Sequence, residues 1–294
     1  MPTARLANRT VIQVAGPDAE HFLQNIVTTD LDKLHEGEAR PGALLSPQGK
    51  ILFDFLISRA GGDALLLDTR ADAADDFLRR LTLYKLRAKL DISQQDQMLV
   101  SASWQEESDD SETDSTASQT DSTWLRDTRF PPEARVTRCY GAALPADATM
   151  TDWDVLRVRH GIAESGADYA LGDAFPHDVL LDQTGGVGFR KGCYVGQEVV
   201  SRMQHRGTAR RRVMIARGEA ALPPSGTEVQ ANGRAIGAIA GGIGRHGLAV
   251  MRIDRVKDAL DAGHAVTAEG VPLTLSIPDW AGYALPQDAG PEGG

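Results

Sequence analysis

Residues 43–70 read ALLSPQGKILFDFLISRAGGDALLLDTR. Three apolar runs are separated by two turn signals, PQGK and AGGD, which is the sign of an antiparallel meander. In the middle run Ile51, Phe53, Phe55 and Ile57 alternate onto one face, while Leu52, Asp54 and Leu56 share the other. Asp54 is therefore a lone carboxylate in an apolar strand. A buried carboxylate needs hydrogen-bond donors or a cation, because desolvation otherwise raises its pKa and neutralises it. Two readings fit: a strand whose second face is wet, as antiparallel sheets allow, or a group lining a ligand cavity, where it accepts a hydrogen bond from a substrate N–H.

Working outward, TVIQVAG (10–16) reads as a strand, and after Pro17 and Asp18 the residues Ala19, Phe22, Leu23 and Ile26 recur at the spacing of a capped amphipathic helix. Downstream, Phe77, Leu78, Leu81 and Tyr84 mark a second helix before AKLDI (88–92) returns to strand. Strands and helices mix without regular βαβ alternation, so the fold class is α+β with antiparallel sheets rather than a doubly wound parallel sheet.

From about Val213 the character changes. TEVQANGRAIGAIA places Asn232-Gly233 between two β-like runs, and GLAVMRI, HAVTAEG and VPLTLSI continue as short strands. This predicts a small all-β domain, a barrel or sandwich, over 213–285, after an α+β region over 1–212. Gly242 to Gly247, GIGRHG, is a literal G-x-G-x-x-G, but LAVMRID follows where a dinucleotide site needs a helix; tight turns between strands explain the glycines.

The chain has 294 residues, 41% hydrophobic and 24% charged, with net charge -10, the composition of a globular protein of about two domains. Residues 105–123 hold seven acids and no Lys or Arg, and read as a solvated or disordered loop; the tail 286–294 reads the same way. The N-terminus has no apolar stretch of signal length and no window is long enough to span a membrane, so the expectation is a cytoplasmic protein with no membrane partner. Cys139 and Cys193 resemble neither a disulfide framework nor a zinc site.

Against this acidity, residues 185–213 carry Arg190, Lys191, Arg202, Arg206, Arg210, Arg211 and Arg212 with one acid, Glu198. Without interleaved aromatics the run does not fit a nucleic-acid partner. Arginines that pair the carboxylates of a polyanionic ligand fit better, and plain solvated charge remains the simpler reading for Arg210 to Arg212. Arg190 and Lys191 precede Gly192-Cys193, and GCYVGQEVVSRM reads as the start of a helix; cations and helical N–H groups beside a thiol lower its pKa. The alternative is a small buried hydrophobe behind a glycine turn.

Lys191-Gly192-Cys193-Tyr194-Val195-Gly196-Gln197-Glu198 resembles the K-G-C-Y-x-G-Q-E signature of the YgfZ family, folate-binding proteins related to the glycine-cleavage T-protein and to the mitochondrial iron-sulfur factor Iba57. The likeness extends to VAGPDAEHFLQNIVTTD (14–30), YKLRAKLDI (84–92), WDVLRVRHGI (153–162) and GLAVMRID (247–254). It implies a T-protein-like ring of three subdomains around a folate channel, two of them within 1–212, with a small C-terminal β-barrel, and a role in making or maintaining iron-sulfur enzymes. It also implies tetrahydrofolate or a one-carbon derivative as cofactor, held by Asp54, Tyr84, Arg87, Arg157, Lys191, Tyr194, Gln197, Glu198 and Arg206, with Cys193 as a reactive thiol. Iron-sulfur scaffold or recipient proteins are the implied partners.

This chain departs from the T-protein pattern. Its G-Y-T-G-E-D-G stretch is absent, CYGAALPADATMTDWD (139–154) standing in its place, Trp153 occupies the position of an Arg, and Phe53 replaces one acid of the pair to which Asp54 belongs. Aminomethyl transfer needs groups that orient the folate amines and stabilise developing charge, so an aminomethyltransferase or other one-carbon transferase is the alternative to an accessory role, and a docking module is the third. Two cysteines fall short of the four thiolates of a usual cluster, which argues against a stable cluster carrier.

Overall fold

The computed structural model of the chain describes residues 1–105 and 124–286; the remainder of the acidic stretch and of the tail, read above as solvated, lies outside the described residues. The chain forms two compact units. The first comprises Met1–Asp154, Leu171–Pro176 and Thr184–Ser201, and the second Val155–Ala170, His177–Gln183 and the chain from Arg202.

The first unit holds strands β1 (Thr3–Arg5) and β2 (Arg9–Ala15), helix α1 (Ala19–Gln24), strands β3 (Glu38–Leu45), β4 (Ile51–Arg59) and β5 (Ala64–Arg70), and helix α2 (Ala74–Lys85). Strands β6 (Asp91–Gln94), β7 (Leu99–Ser103), β8 (Trp124–Asp127) and β9 (Thr137–Gly141) complete it. Their order is β1-β7-β9-β8-β3-β4-β5-β2-β6. Every pairing is antiparallel except the short β3–β8 ladder. The expected meander is β3–β4–β5, and its alternation decides the packing. Phe53 and Phe55 stack on Phe77 of α2 with centroids 4.8 and 5.5 Å apart, which puts one face of β4 into the main apolar core.

Ion pairs invisible in the sequence are buried on other strands of the unit. Arg9 Nε donates to Asp68 at 2.6 Å, Arg138 reaches both Asp68 (3.4 Å) and Asp127 (3.1 Å), and Arg129 pairs with Asp127 at 2.7 Å. Arg138 also lies 4.6 Å from the centroid of the Trp153 ring. Residues from β2, β5, β8 and β9 meet here, so the cluster links strands far apart in sequence.

One local expectation changes. Asp18 makes no side-chain cap on α1; its carboxylate accepts from the Lys89 N–H at 2.6 Å, fixing the strand entry instead. Leu86 ends α2 with φ 46° and ψ -107°, a left-handed backbone more usual for glycine, and its side chain is 88% exposed.

Helices α3 (Met150–Arg159) and α4 (Gln197–His205) follow in the chain, and beyond them the second unit holds β10 (Arg211–Gly218), β11 (Glu228–Ala231), β12 (Arg234–Ile243) and β13 (His246–Arg252). Helix α5 (Ile253–Asp261) and strands β14 (Val266–Ala268) and β15 (Val271–Ser276) follow. The strands close into a barrel in the order β10-β13-β12-β11-β14-β15. Asn232 and Gly233 turn the β11–β12 hairpin with φ of 47° and 69°, and GIGRHG is the β12–β13 turn. A Cβ at Gly247 would lie 2.5 Å from the Leu222 side chain, so close strand packing accounts for that glycine.

The domain is not all-β. Ile253, Val256 and Ala259 recur at helical spacing and bury α5 against the barrel core, a signal masked by the strand-like LAVMRID. Arg212 is not solvated charge either. It is buried, donates to the His177 carbonyl at 2.9 Å and to Asp182 at 2.7 Å, and its guanidinium lies 5.4 Å from the Tyr283 ring centroid.

Candidate functional site

The K-G-C-Y segment is held by residues that precede it by about 160 positions. Thr28 donates through Oγ1 to the Gly186 carbonyl at 2.6 Å and accepts from the Ala43 N–H at 2.9 Å, while its own carbonyl receives the Gly188 N–H at 2.7 Å. One buried threonine thus ties β3 to the loop that enters the motif. Lys191 then turns inward. Its Nζ donates to the carbonyls of Val27 (2.8 Å) and Thr29 (2.7 Å) and lies 5.4 Å from the Tyr194 ring centroid.

Tyr194 is also buried, and its hydroxyl has no hydrogen-bond partner among the described residues. Gly196 comes next with φ +79°; a Cβ there would fall 2.5 Å from the Ser46 carbonyl and 3.1 Å from Gly49 Cα. Only glycine lets the chain lie flush on the β3–β4 turn with that backbone. Helix α4 therefore starts at Gln197, after the glycine, and not at Cys193 as the sequence suggested. Cys193 lies ahead of the first helical turn, so the expected helical N–H groups do not stand beside the thiol.

With Lys191 and Tyr194 held inside, Arg190, Gly192 and Cys193 are exposed. The second cysteine, Cys139, is buried. Burial pulls the Lys191 ammonium down to about 8, a fall that Asp30 and Asp32 only partly oppose. Burial pushes the Tyr194 phenol up to about 12. At Asp30 burial acts upward, but the hydrogen bond from Gln24 and the charges of Lys33 and Lys191 outweigh it and hold the carboxyl below its ordinary value.

The other expected residues are scattered. Asp54 is half-buried on the β4 face away from Phe77, Tyr84 is half-buried against the main core, and Arg87 is exposed. Arg157 is buried in the second unit, where it bonds the Asp168 carboxylate and the Ile162 carbonyl. Gln197 is half-buried, Glu198 and Arg206 exposed. The structure brings Lys191 and Tyr194 together and adds Thr28, Thr29 and Asp30, which sequence reasoning missed. Their only signal was the polar TTD directly after an apolar run.

Two family models match: the GCVT N-terminal domain over residues 7–101 and the CAF17 C-terminal beta-barrel domain over 210–283. In structure the chain is similar to the glycine cleavage system aminomethyltransferase T from Bartonella henselae, with a TM-score of 0.72 and 17% identity over 94% of this chain and 84% of the other. That likeness shows the T-protein fold.

Among curated proteins, the iron-sulfur cluster assembly factor IBA57 of Mus musculus is 31% identical over 94% of this chain and 84% of its own length, and that of Homo sapiens is 31% identical over 94% and 84%. The homologue of Chaetomium globosum is 32% identical over 93% of this chain, which spans 65% of that relative's length. These relatives are described as mitochondrial, which overturns the cytoplasmic expectation. That expectation rested on apolar signal and membrane patterns alone, and organelle presequences are amphipathic rather than apolar. The chain belongs to the family of the iron-sulfur cluster assembly factor IBA57.

Proposed function

We propose that the chain is an iron-sulfur cluster assembly factor that binds a reduced folate and acts on scaffold or recipient proteins through Cys193. The observation that carries this reading is the exposed thiol between two inward-held neighbours, Lys191 and Tyr194. A loop anchored on both sides offers the sulfur in a fixed place without burying it, which suits a thiol that must meet another protein.

The residues present suit a folate. The unpartnered Tyr194 hydroxyl is a buried polar atom awaiting a donor or acceptor. Asp54, half-buried, is of the right chemistry to accept from the amino groups of a pterin, and the exposed Arg190 of the same unit to pair a glutamate carboxylate. The T-protein fold supports the same ligand class.

An aminomethyltransferase is the second reading, favoured by the same fold. Against it, Trp153, standing where that family has an Arg, is buried and packed beside Arg138, so the position serves packing. Isothermal titration with tetrahydrofolate tests the ligand. Complementation of an iron-sulfur enzyme defect by wild type and by Cys193→Ala tests the thiol, and an assay for product from an aminomethyl donor tests the transferase. Full complementation by Cys193→Ala would remove the cysteine from the mechanism.

A further inference from the structure

We infer that the end of α2 and the turn after it form a docking surface for an acidic protein face that carries an apolar recess. Helix α2 buries Ala74, Phe77 and Leu81 in the core, yet leaves Leu83 70% and Leu86 88% exposed. Around these two leucines, residues 79–89 carry Arg79, Arg80, Lys85, Arg87 and Lys89 and no acid, in a chain of net charge -10. Arg79 pairs with Asp76, and Lys85 faces Asp91 at 3.8 Å. Arg80, Arg87 and Lys89 make no side-chain ion pair among the described residues.

The backbone makes the argument sharper. Leu86 holds φ 46° at a helix end where glycine is the favoured residue, and its side chain gains little contact with its own chain. A strained backbone at an exposed apolar position is the kind of outlier from which a contact outside the molecule is inferred. Apolar anchors inside a charged rim are the usual anatomy of a protein interface, and the rim's sign selects an acidic partner.

Other partners fit less well. Two leucines are a small apolar face for membrane insertion, since the rest of the apolar face of α2 is already buried. A nucleic acid would want a stacking platform, and the aromatic of the patch, Tyr84, is packed against the core. That the acidic partner is an iron-sulfur protein rests on the proposed function; the surface itself does not.

The test uses the full chain and a purified acidic [2Fe–2S] ferredoxin, titrated at low and high salt. Binding should weaken with salt, and Leu86→Asp and Leu83→Asp should each weaken it about tenfold or more with unchanged melting. Leu86→Gly is the second variant: it relieves the backbone, so it should melt no lower than wild type and still lose binding. Equal binding by all three variants, or no ferredoxin binding by a wild-type chain that complements the iron-sulfur defect, overturns the docking surface and leaves the proposed function standing. Preferential binding of anionic phosphatidylserine vesicles or duplex DNA through the same leucines also overturns it.

Discussion

Gly188 lies against the stem of Lys191 so closely that a Cβ on the glycine would sit 2.8 Å from Lys191 Cδ, and 2.9 Å from Asp30 Cβ. The glycine ahead of the motif is therefore there for the lysine. Gly188→Ala should push the Lys191 side chain off the Val27 and Thr29 carbonyls and destabilise the protein by about 1 to 3 kcal/mol, the range for overpacking. Urea unfolding measures it, and an unchanged midpoint would refute the close fit.

Lys191 should make stability depend on pH above neutrality. Burial lowers its pKa from 10.5 to about 8, so between those values the unfolded chain holds the proton more tightly and stability rises with pH. Below 8 both states are protonated and the cost of the buried ammonium is fully present. For a partly accessible amine the rise should be on the order of 1 kcal/mol. Lys191→Met removes the titrating group, so the difference between the two proteins' unfolding free energies across this window isolates it from other titrating side chains.

Arg138→Met keeps the volume of the side chain and deletes the cation shared by Asp68 and Asp127. Both carboxylates are buried, and Arg9 still pairs with Asp68 and Arg129 with Asp127. Loss of one partner of a buried ionic network costs about 3 to 5 kcal/mol. Thermal unfolding of the variant should show a drop far beyond that of an exposed change such as Arg80→Met.

Cys193→Ala should leave stability within about 0.5 kcal/mol of wild type, because the side chain is exposed. In the native protein iodoacetamide should modify Cys193 while Cys139, 1% exposed, reacts only after denaturation. Mass spectrometry of tryptic peptides distinguishes the two. Early labelling of Cys139 would contradict its burial.

Periodicity was enough to locate most elements. The alternation of Ile51, Phe53, Phe55 and Ile57, the helical spacing of Phe77 and Leu81, and Asn232-Gly233 in the barrel hairpin all mark backbone states that nearby residues dictate. Helix α5 is not legible in the sequence because Val250 to Ile253 reads as strand and only the next turn reveals the helical period.

Sequence by itself determined the fold class, the antiparallel meander, the β-rich C-terminal domain and the K-G-C-Y segment as the place to look, since each is written in residues close together along the chain. Tertiary structure alone decided which way each side chain of that segment points. Lys191 turns inward because the Val27 and Thr29 carbonyls, more than 160 residues earlier, need donors, and Gly196 is glycine because the Ser46 carbonyl leaves no room for a Cβ. Contacts of that separation satisfy buried polar groups across the fold, and no local pattern encodes them.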